Sequence, residues 1–232
     1  MEPDADAPRI ASLTLDVARE DLAALRAFYG TTLGLPTAST DTFVVGDARL
    51  AFRAAAPSRR PFFHLALLVP GDRFEAAREW IAARSELLSA LGDEPVVHFD
   101  AWDADALYLH DPAGSILELI AHRAIGASGA TGAFAATELL GISEIGLVLA
   151  DRAGAAYALE RDLGVAPFSG DPAADELAFV GRPGHALILS PPGRGWMPTG
   201  RRAERHAAEV VLEGTPHAGR VALPDGIVIA AR

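Results

Sequence analysis

A histidine and a glutamate lie within two strongly apolar segments of this sequence. His64 falls in the apolar run 62–69, and Glu118 lies inside the run 115–121, which follows an Asp-Pro-Ala-Gly turn at 111–114. A carboxylate inside an apolar strand needs a partner that offsets its lost hydration, and His64 is the natural candidate. A histidine and a carboxylate that converge supply two thirds of the facial triad that holds Fe(II) or Mn(II). The pair therefore predicts either a metal site or a hydrogen-bonded pair that lines a pocket without metal.

Both residues belong to a strand–helix–strand pattern that occurs twice before residue 122. The first unit has a strand at 10–17, a helix over 21–33 that Gly34 closes, and a hairpin of strands at 42–45 and 49–53. The second unit has an apolar strand at 62–69 and a helix that begins near Asp72. Its remaining strands are predicted at 96–99, 106–110 and 115–121.

The same order returns after residue 139. A third unit has a strand at 142–149, a helix over 153–163 and a hairpin at 177–180 and 185–189. A fourth has strands at 206–212, 220–223 and 227–230, with no segment typical of a helix. We therefore expect two domains, 9–122 and 139–232, the second degenerate, joined by a Gly-, Ala- and Ser-rich linker at 123–138. Residues 1–8 are expected to be disordered.

The openings of the units can be aligned with one another. Residues 10–17 resemble residues 142–149, which places Ser12 opposite Glu144, and the run from His64 resembles the run from His206. The ligand positions of the second domain are then Glu144, His206 and Ala230, so this copy lacks its last carboxylate.

The stretch from Leu107 to Glu118 carries the most specific motif. It has Tyr108, then Asp111-Pro112-x-Gly114, then Glu118, as at the end of the signature of extradiol dioxygenases, with His98 upstream. With the repeated βαβββ units, the chain resembles the vicinal oxygen chelate superfamily, which holds glyoxalase I, the bleomycin-resistance proteins and the extradiol ring-cleaving dioxygenases. The resemblance implies an α+β fold of paired βαβββ modules that form curved mixed sheets.

This resemblance also implies a site. His64 and Glu118 would be metal ligands, and His98 and Tyr108 would handle protons, with Fe(II) or Mn(II) preferred over Zn or Ni. The third ligand falls at Ser12, which shares a strand face with Thr14, so the metal triad is expected to be incomplete, with both residues in the pocket. The implied function is a metal-dependent enzyme, dioxygenase-like or glyoxalase-like, that acts on a small organic molecule. The alternative is a metal-free protein that sequesters such a molecule, like the bleomycin-resistance proteins.

One segment outside these strands stands out by its composition. Residues 193–199 read Gly-Arg-Gly-Trp-Met-Pro-Thr, which is typical of a loop. Trp196 either closes a cavity or fills an edge of the core, and we favour the second interpretation.

Composition narrows the class of protein. The chain has 232 residues, half of them hydrophobic, and a net charge of −11, with no lysine and no cysteine. An acidic surface repels phosphate, so we expect no nucleic acid as a partner, whereas the small-molecule substrate or ligand is what the resemblance implies. The absence of cysteine excludes disulfides, thiolate nucleophiles and zinc–sulfur sites. No apolar run is long enough to span a bilayer and the start lacks a signal peptide, so we expect a soluble cytoplasmic protein. We expect it to be a monomer or a homodimer.

Overall fold

The computed structural model describes residues 7–232, so the expectation for residues 1–8 falls almost entirely outside the described residues. Unit 1 contains β1 (Arg9–Val17), α1 (Leu22–Arg26), β2 (Thr37–Ser39), β3 (Thr42–Val45) and β4 (Ala48–Ala54). Unit 2 contains β5 (His64–Leu68), α2 (Phe74–Ala82), β6 (Val96–Phe99), β7 (Ala104–His110) and β8 (Ile116–His122). Apart from the short strand β2, these are the strands and helices that the spacing of apolar residues predicts.

Units 3 and 4 follow the linker. Unit 3 contains β9 (Gly141–Val148), α3 (Arg152–Leu163), β10 (Pro167–Ser169), β11 (Ala178–Arg182) and β12 (His185–Ser190). A short hairpin, β13 (Gly195–Trp196) and β14 (Arg201–Arg202), precedes unit 4, which contains β15 (Ala208–Glu213), β16 (Gly219–Ala222) and β17 (Val228–Ala231). Within residues 7–232, unit 4 has no α-helix, as expected: β16 follows β15 after a short loop, and a 3-10 turn at Pro224–Gly226 joins β16 to β17. None of the helices in this part of the chain is long and apolar enough to cross a membrane.

Helix α3 begins and ends at residues that satisfy free backbone groups or allow the turn that follows. Asp151 caps α3, because its carboxylate accepts a hydrogen bond of 2.8 Å from the Gly154 amide. Gly164 ends the helix in the left-handed conformation, at φ +72°. The helix predicted over 21–33 is less regular, because α1 is followed by a π-helical segment, Ala27–Thr32, that buries Phe28 and Tyr29.

The strands form a mixed sheet, and its order is the main departure from the sequence-based expectation. Neighbours across the centre of the sheet run β16-β17-β15-β1-β9-β5-β8-β7-β6, with β4 beside β1 and β12 beside β9. Unit 2 therefore pairs with unit 3 through antiparallel β5 and β9, and unit 1 pairs with unit 4 through antiparallel β1 and β15. We expected each cup to combine consecutive units, and the structure instead combines 2 with 3 and 1 with 4.

The linker explains this pairing. Asp72 accepts hydrogen bonds from the Ser128 and Gly129 amides, and Arg73 pairs with Glu138, so the segment is held against the start of α2. The Leu140 amide then donates to the Leu68 carbonyl at the end of β5. The chain is thereby returned to the open edge of β5, where β9 satisfies backbone groups that would otherwise lack partners.

The sheet has two apolar faces. The larger cluster lies under the helices and contains the inward residues of β1, among them Leu13, Leu15 and Val17. A second, smaller cluster lies on the opposite face of units 2 and 3, where the sheet forms a cup; it includes Phe62, Ala66, Tyr108, Ile120, Ile188 and Trp196.

Candidate metal centre and its surroundings

Three acidic or imidazole side chains meet on the cup face of units 2 and 3. Ala66 in the middle of β5 is opposite Glu118 on parallel β8 and opposite Glu144 on antiparallel β9. His64 lies two residues before Ala66 and so shares its face. The register of three neighbouring strands therefore places His64, Glu118 and Glu144 together.

The three side chains are close and almost completely buried. One potential ligand atom from each lies within 4.8 Å of the others. His64 Nε2 is 3.0 Å from a Glu118 oxygen, and the three residues are only 3–5% exposed. The predicted His64–Glu118 pair is thus present, with a second carboxylate beside it.

The electrostatics of this cluster favour a proton or a cation. Burial, and then the charge of Glu118, raise the pKa of Glu144 well above its usual value. Two carboxylates less than about 5 Å apart repel by on the order of 3 kcal/mol at an effective dielectric constant near 20. A divalent ion would remove this repulsion, and one imidazole with two carboxylates is a donor set that such ions accept. The residues present therefore fit a divalent metal.

Tyr108 is the closest neighbour of the cluster on β7. It lies directly opposite Glu118, and its hydroxyl hydrogen-bonds to that carboxylate. Burial, with the charges of Glu118 and Glu144, raises the Tyr108 pKa above its usual value, so the phenol keeps its proton. Of the two residues predicted to handle protons, Tyr108 is placed where it can act on the cluster.

His98 is placed elsewhere. It pairs with Asp105 across β6 and β7, on the sheet face opposite to Tyr108, because neighbouring residues of a strand alternate between faces. Its Nδ1 is 2.8 Å from an Asp105 oxygen, and the side chain is 39% exposed. The structure therefore does not bring His98 to the cup, and the prediction that it handles protons there is corrected.

Ser12 and Thr14 also lie away from the cluster. Ser12 is opposite Val211 on β15 and Arg49 on β4, and β9 separates β1 from β5. Ser12 lines a shallow polar depression of about 490 Å³ with neighbours that include Arg9 and Arg49. The expectation that Ser12 and Thr14 face His64 and Glu118 is wrong, because unit 1 pairs with unit 4 and not with unit 2.

The cup of units 1 and 4 shows what replaces the cluster there. In this cup Val211 on β15 is opposite Ser12 on β1 and Ala230 on β17. Val211 thus corresponds to Ala66 of the other cup, and Ser12 and Ala230 stand in the places of Glu144 and Glu118. By this register the position of His64 is taken by Glu209, which corrects the alignment of His64 with His206. Arg53 bonds to both Glu209 and Asp16, at 2.6 and 2.7 Å. One guanidinium thus pairs with both carboxylates of this cup, and because the Glu209 side chain is 46% exposed, water also solvates it, so a metal is not needed there.

Asp111 supports the turn that leads into β8. Its carboxylate accepts hydrogen bonds from the Ala113 and Ser115 amides, each 2.9 Å long, and from the Tyr29 hydroxyl at 3.2 Å. Burial raises the Asp111 pKa to about 6, and these hydrogen bonds oppose the increase. Asp111 therefore fixes the start of the strand that carries Glu118.

Trp196 covers the cluster. The indole stacks on the His64 ring, with centroids 5.1 Å apart and planes 12° from parallel, and it is 4% exposed. It lies against Gly146, where an added Cβ would be 2.6 Å from the indole ring. Trp196 thus packs above His64 within the smaller apolar cluster of the cup.

Glu144 is the residue that sequence reasoning assigned to the wrong partner. Its signal was available, since it is a carboxylate inside the apolar run 142–149, as Glu118 is in its own run. The alignment with Ser12 also identified it as a ligand position. Only its pairing with His206 was wrong, because that step assumed that consecutive units combine.

Comparisons with known proteins agree with this architecture. Residues 12–120 match the family described as Glyoxalase-like domain. A putative dioxygenase from Bacillus subtilis subsp. subtilis str. 168 has a similar structure, with a TM-score of 0.56 and 13% identity over 96% of this chain and 84% of that one. Glyoxalase I from Zea mays is similar with a TM-score of 0.53 and 14% identity, over 97% and 92% of the two chains. No curated protein matches the sequence significantly.

At these identities the two structures show the fold, and the family match shows the relationship over units 1 and 2. The repeated units, the mixed sheet and these similarities agree with one another. Residues 12–120 thus match the Glyoxalase-like domain family, and the fold of the whole chain is similar to those of the putative dioxygenase and of glyoxalase I.

Proposed function

We propose that this protein is a divalent-metal-dependent enzyme, glyoxalase-like or dioxygenase-like, that acts on a small organic molecule in the cup of units 2 and 3. The observation that carries the proposal is the convergence of His64, Glu118 and Glu144 in one buried cluster. All three ligands come from one chain, so the site does not need a second copy.

The chemistry of the cluster supports a resident cation. Two buried carboxylates with one imidazole leave excess negative charge, and burial without a compensating charge is costly. His64 Nδ1 is also buried without a hydrogen-bond partner among the described residues. Oxygen-rich sites suit Mn(II) and Fe(II), with Zn(II) and Ni(II) as competitors of higher intrinsic affinity. A metal bound here would supply Lewis-acid polarisation of a substrate oxygen.

The residues of this chain would control protons and water around it. Tyr108 keeps its proton and donates to Glu118, which fixes the orientation of that carboxylate. The raised pKa of Glu144 favours a proton on its carboxylate while no cation is bound. The apolar walls, which include Ala66, Ile120 and Ile188, exclude water from the cluster.

A metal-free binding protein is the second candidate, and one observation favours it. The His64–Glu118 contact already gives each of the two side chains a polar partner, and Trp196 covers them without a further group. Such a pair can line a pocket that sequesters an apolar molecule.

The two candidates differ in metal affinity. We expect calorimetry to show saturable Mn(II) and Fe(II) binding by the natural protein, and both Glu118→Gln and Glu144→Gln to weaken it more than tenfold, or about 1.4 kcal/mol. Glu209→Gln is the control, since it removes a carboxylate from the other cup, at the strand position that corresponds to His64. This control should bind metal as the natural protein does.

Two results would decide against the proposal. If the natural protein binds neither ion, the metal-free candidate replaces it. If Glu144→Gln binds as tightly as the natural protein, the cluster does not hold the metal.

A further inference from the structure

The hairpin that carries Trp196 is a separate structural element. β13 and β14 form a two-stranded sheet that is not part of the main sheet. Within the part of the chain that the structure describes, the backbone hydrogen bonds of residues 193–203 join these residues to one another, except that the Arg194 amide donates to the Pro191 carbonyl, at 3.4 Å, just after β12. The bonds within the hairpin join Gly193 to Ala203, Ala203 to Arg194, and Gly200 to Trp196, at 2.7–2.8 Å. The hairpin can therefore move without breaking the hydrogen bonds of the main sheet.

Trp196 is the main anchor of this hairpin. Most residues of 193–203 are exposed, whereas Trp196 and Ala203 are buried. The indole is inserted between His64 and Gly146 and packs in the apolar cluster of the cup. The slot that it fills exists because residue 146 has no side chain.

Arg201 is a second attachment, at the outer edge. Its guanidinium donates a hydrogen bond of 2.8 Å to the Gly114 carbonyl, and it lies 3.4 Å above the centre of the Phe62 ring. Phe62 precedes β5, and Gly114 precedes β8. One exposed side chain thus holds the hairpin to the two segments that carry His64 and Glu118.

The closed arrangement leaves one polar atom of the site unsatisfied. His64 Nδ1 is buried without a partner within residues 7–232, although Nε2 is paired with Glu118. An unsatisfied buried nitrogen carries a cost that is relieved when water or a ligand reaches it. A ligand or a water molecule that enters the cup would satisfy this nitrogen.

We propose that residues 193–203 are a flap, and that in the open state a flat apolar group of the ligand replaces the Trp196 indole in the slot between His64 and Gly146. The proposal rests on the proposed function, because it takes the cluster as the working site. It adds the shape and chemistry of what binds there. The ligand group must be planar, since the slot accommodates an aromatic ring parallel to the imidazole.

The first test measures opening without metal. In a protein whose only tryptophan is Trp196, made by Trp80→Phe and Trp102→Phe, we expect little quenching of fluorescence by acrylamide. Arg201→Gln should increase the quenching constant several-fold, because the outer attachment is lost. Arg202→Gln, at the neighbouring exposed position, should leave it unchanged. Equal quenching in the two variants would overturn the attachment and the flap with it.

The second test uses indole as the probe, again without metal. Trp196→Gly should bind indole saturably, as measured by calorimetry, whereas the natural protein should not. Adding Gly146→Leu to Trp196→Gly should abolish binding, because leucine fills the slot. Circular dichroism establishes that each variant is folded. A folded Trp196→Gly protein that binds no indole would overturn the proposed slot.

These tests separate the flap from the enzyme. Indole binding by Trp196→Gly together with no metal binding by the natural protein would support the slot and reject the metal-dependent function. Metal binding by the natural protein together with no indole binding by Trp196→Gly would support the metal-dependent function and reject the slot.

Discussion

At the scale of single residues, the site depends on which side chain stands opposite Ala66. Glu118 and Glu144 occupy those positions in the cup of units 2 and 3, while Ala230 and Ser12 occupy them opposite Val211 in the other cup. The same backbone register thus places a buried cluster of two carboxylates and an imidazole in one cup, and partly exposed carboxylates paired with Arg53 in the other. Because the buried carboxylates lose their hydration, the first cup is the one that favours a proton or a cation.

This difference between the two cups predicts that a histidine substitution changes the metal preference at Glu144 but has no effect on metal binding at Ser12. Glu144→His should keep metal binding, because it supplies two histidines and one carboxylate, and should favour Ni(II) and Zn(II) more strongly. Ser12→His should leave Mn(II) affinity unchanged, since Ser12 lies two strands from β5. Calorimetry on the two variants checks both. A gain of affinity in Ser12→His would mean that Ser12 lies beside the cluster in solution.

At the scale of elements, the hairpin of β11 and β12 holds a half-buried histidine, His185, beside β9. Burial, and then the charge of Arg182, lower the pKa of His185 to about 3, although it bonds to the Ile142 backbone. The folded protein therefore keeps His185 neutral where the unfolded chain takes up a proton. Its contribution to stability is complete above about pH 6.5, the usual histidine value, and is lost as the pH falls toward 3.

We therefore expect His185→Asn to reduce the acid sensitivity of the fold. Between about pH 7 and pH 4, the loss of unfolding free energy should be smaller than in the natural protein by on the order of 2 kcal/mol. Urea denaturation at the two pH values measures it. His217→Asn, at an exposed position, is the control and should show the natural loss. Burial also lowers the pKa values of His122 and His206. Both variants therefore keep the part of the acid-induced loss of stability that comes from these two histidines.

At the scale of the whole molecule, both cups are built from units that are distant in sequence. β1 needs β15, and β5 needs β9, to cover strand edges that lie in the middle of the sheet. The Glyoxalase-like match ends at residue 120, before the strand that contributes Glu144. The matched segment therefore lacks part of the site that the structure assembles.

A fragment of residues 1–138 should consequently fail as an independent monomer. Without β9 and β15 it exposes the apolar edges of β5 and β1, so we expect it to aggregate or self-associate. It should also bind Mn(II) far more weakly than the full chain, because it lacks Glu144. Size-exclusion chromatography and calorimetry check this. A monomeric fragment with cooperative unfolding would show that the first two units fold as a domain by themselves.

The sequence by itself determined the local structure and the types of residue at the site. Alternation of apolar residues identified the strands, glycines marked helix ends such as Gly164, and the isolated charges of His64 and Glu118 in apolar runs marked the site. The resemblance over residues 107–118 agrees with the Glyoxalase-like match at residues 12–120 and with the observed fold. These features are local, so a few neighbouring residues are enough to specify them.

Only the tertiary structure decided which units combine. Repeated units present similar strand edges, so local sequence does not distinguish β5 beside β9 from β5 beside β1. The choice is made by the linker contacts of Asp72 and Arg73 and by the register across the whole sheet. That choice moved Ser12 away from the site, brought Glu144 into it and placed Trp196 above His64. Ligand identity therefore followed from long-range strand pairing, which no local pattern encodes.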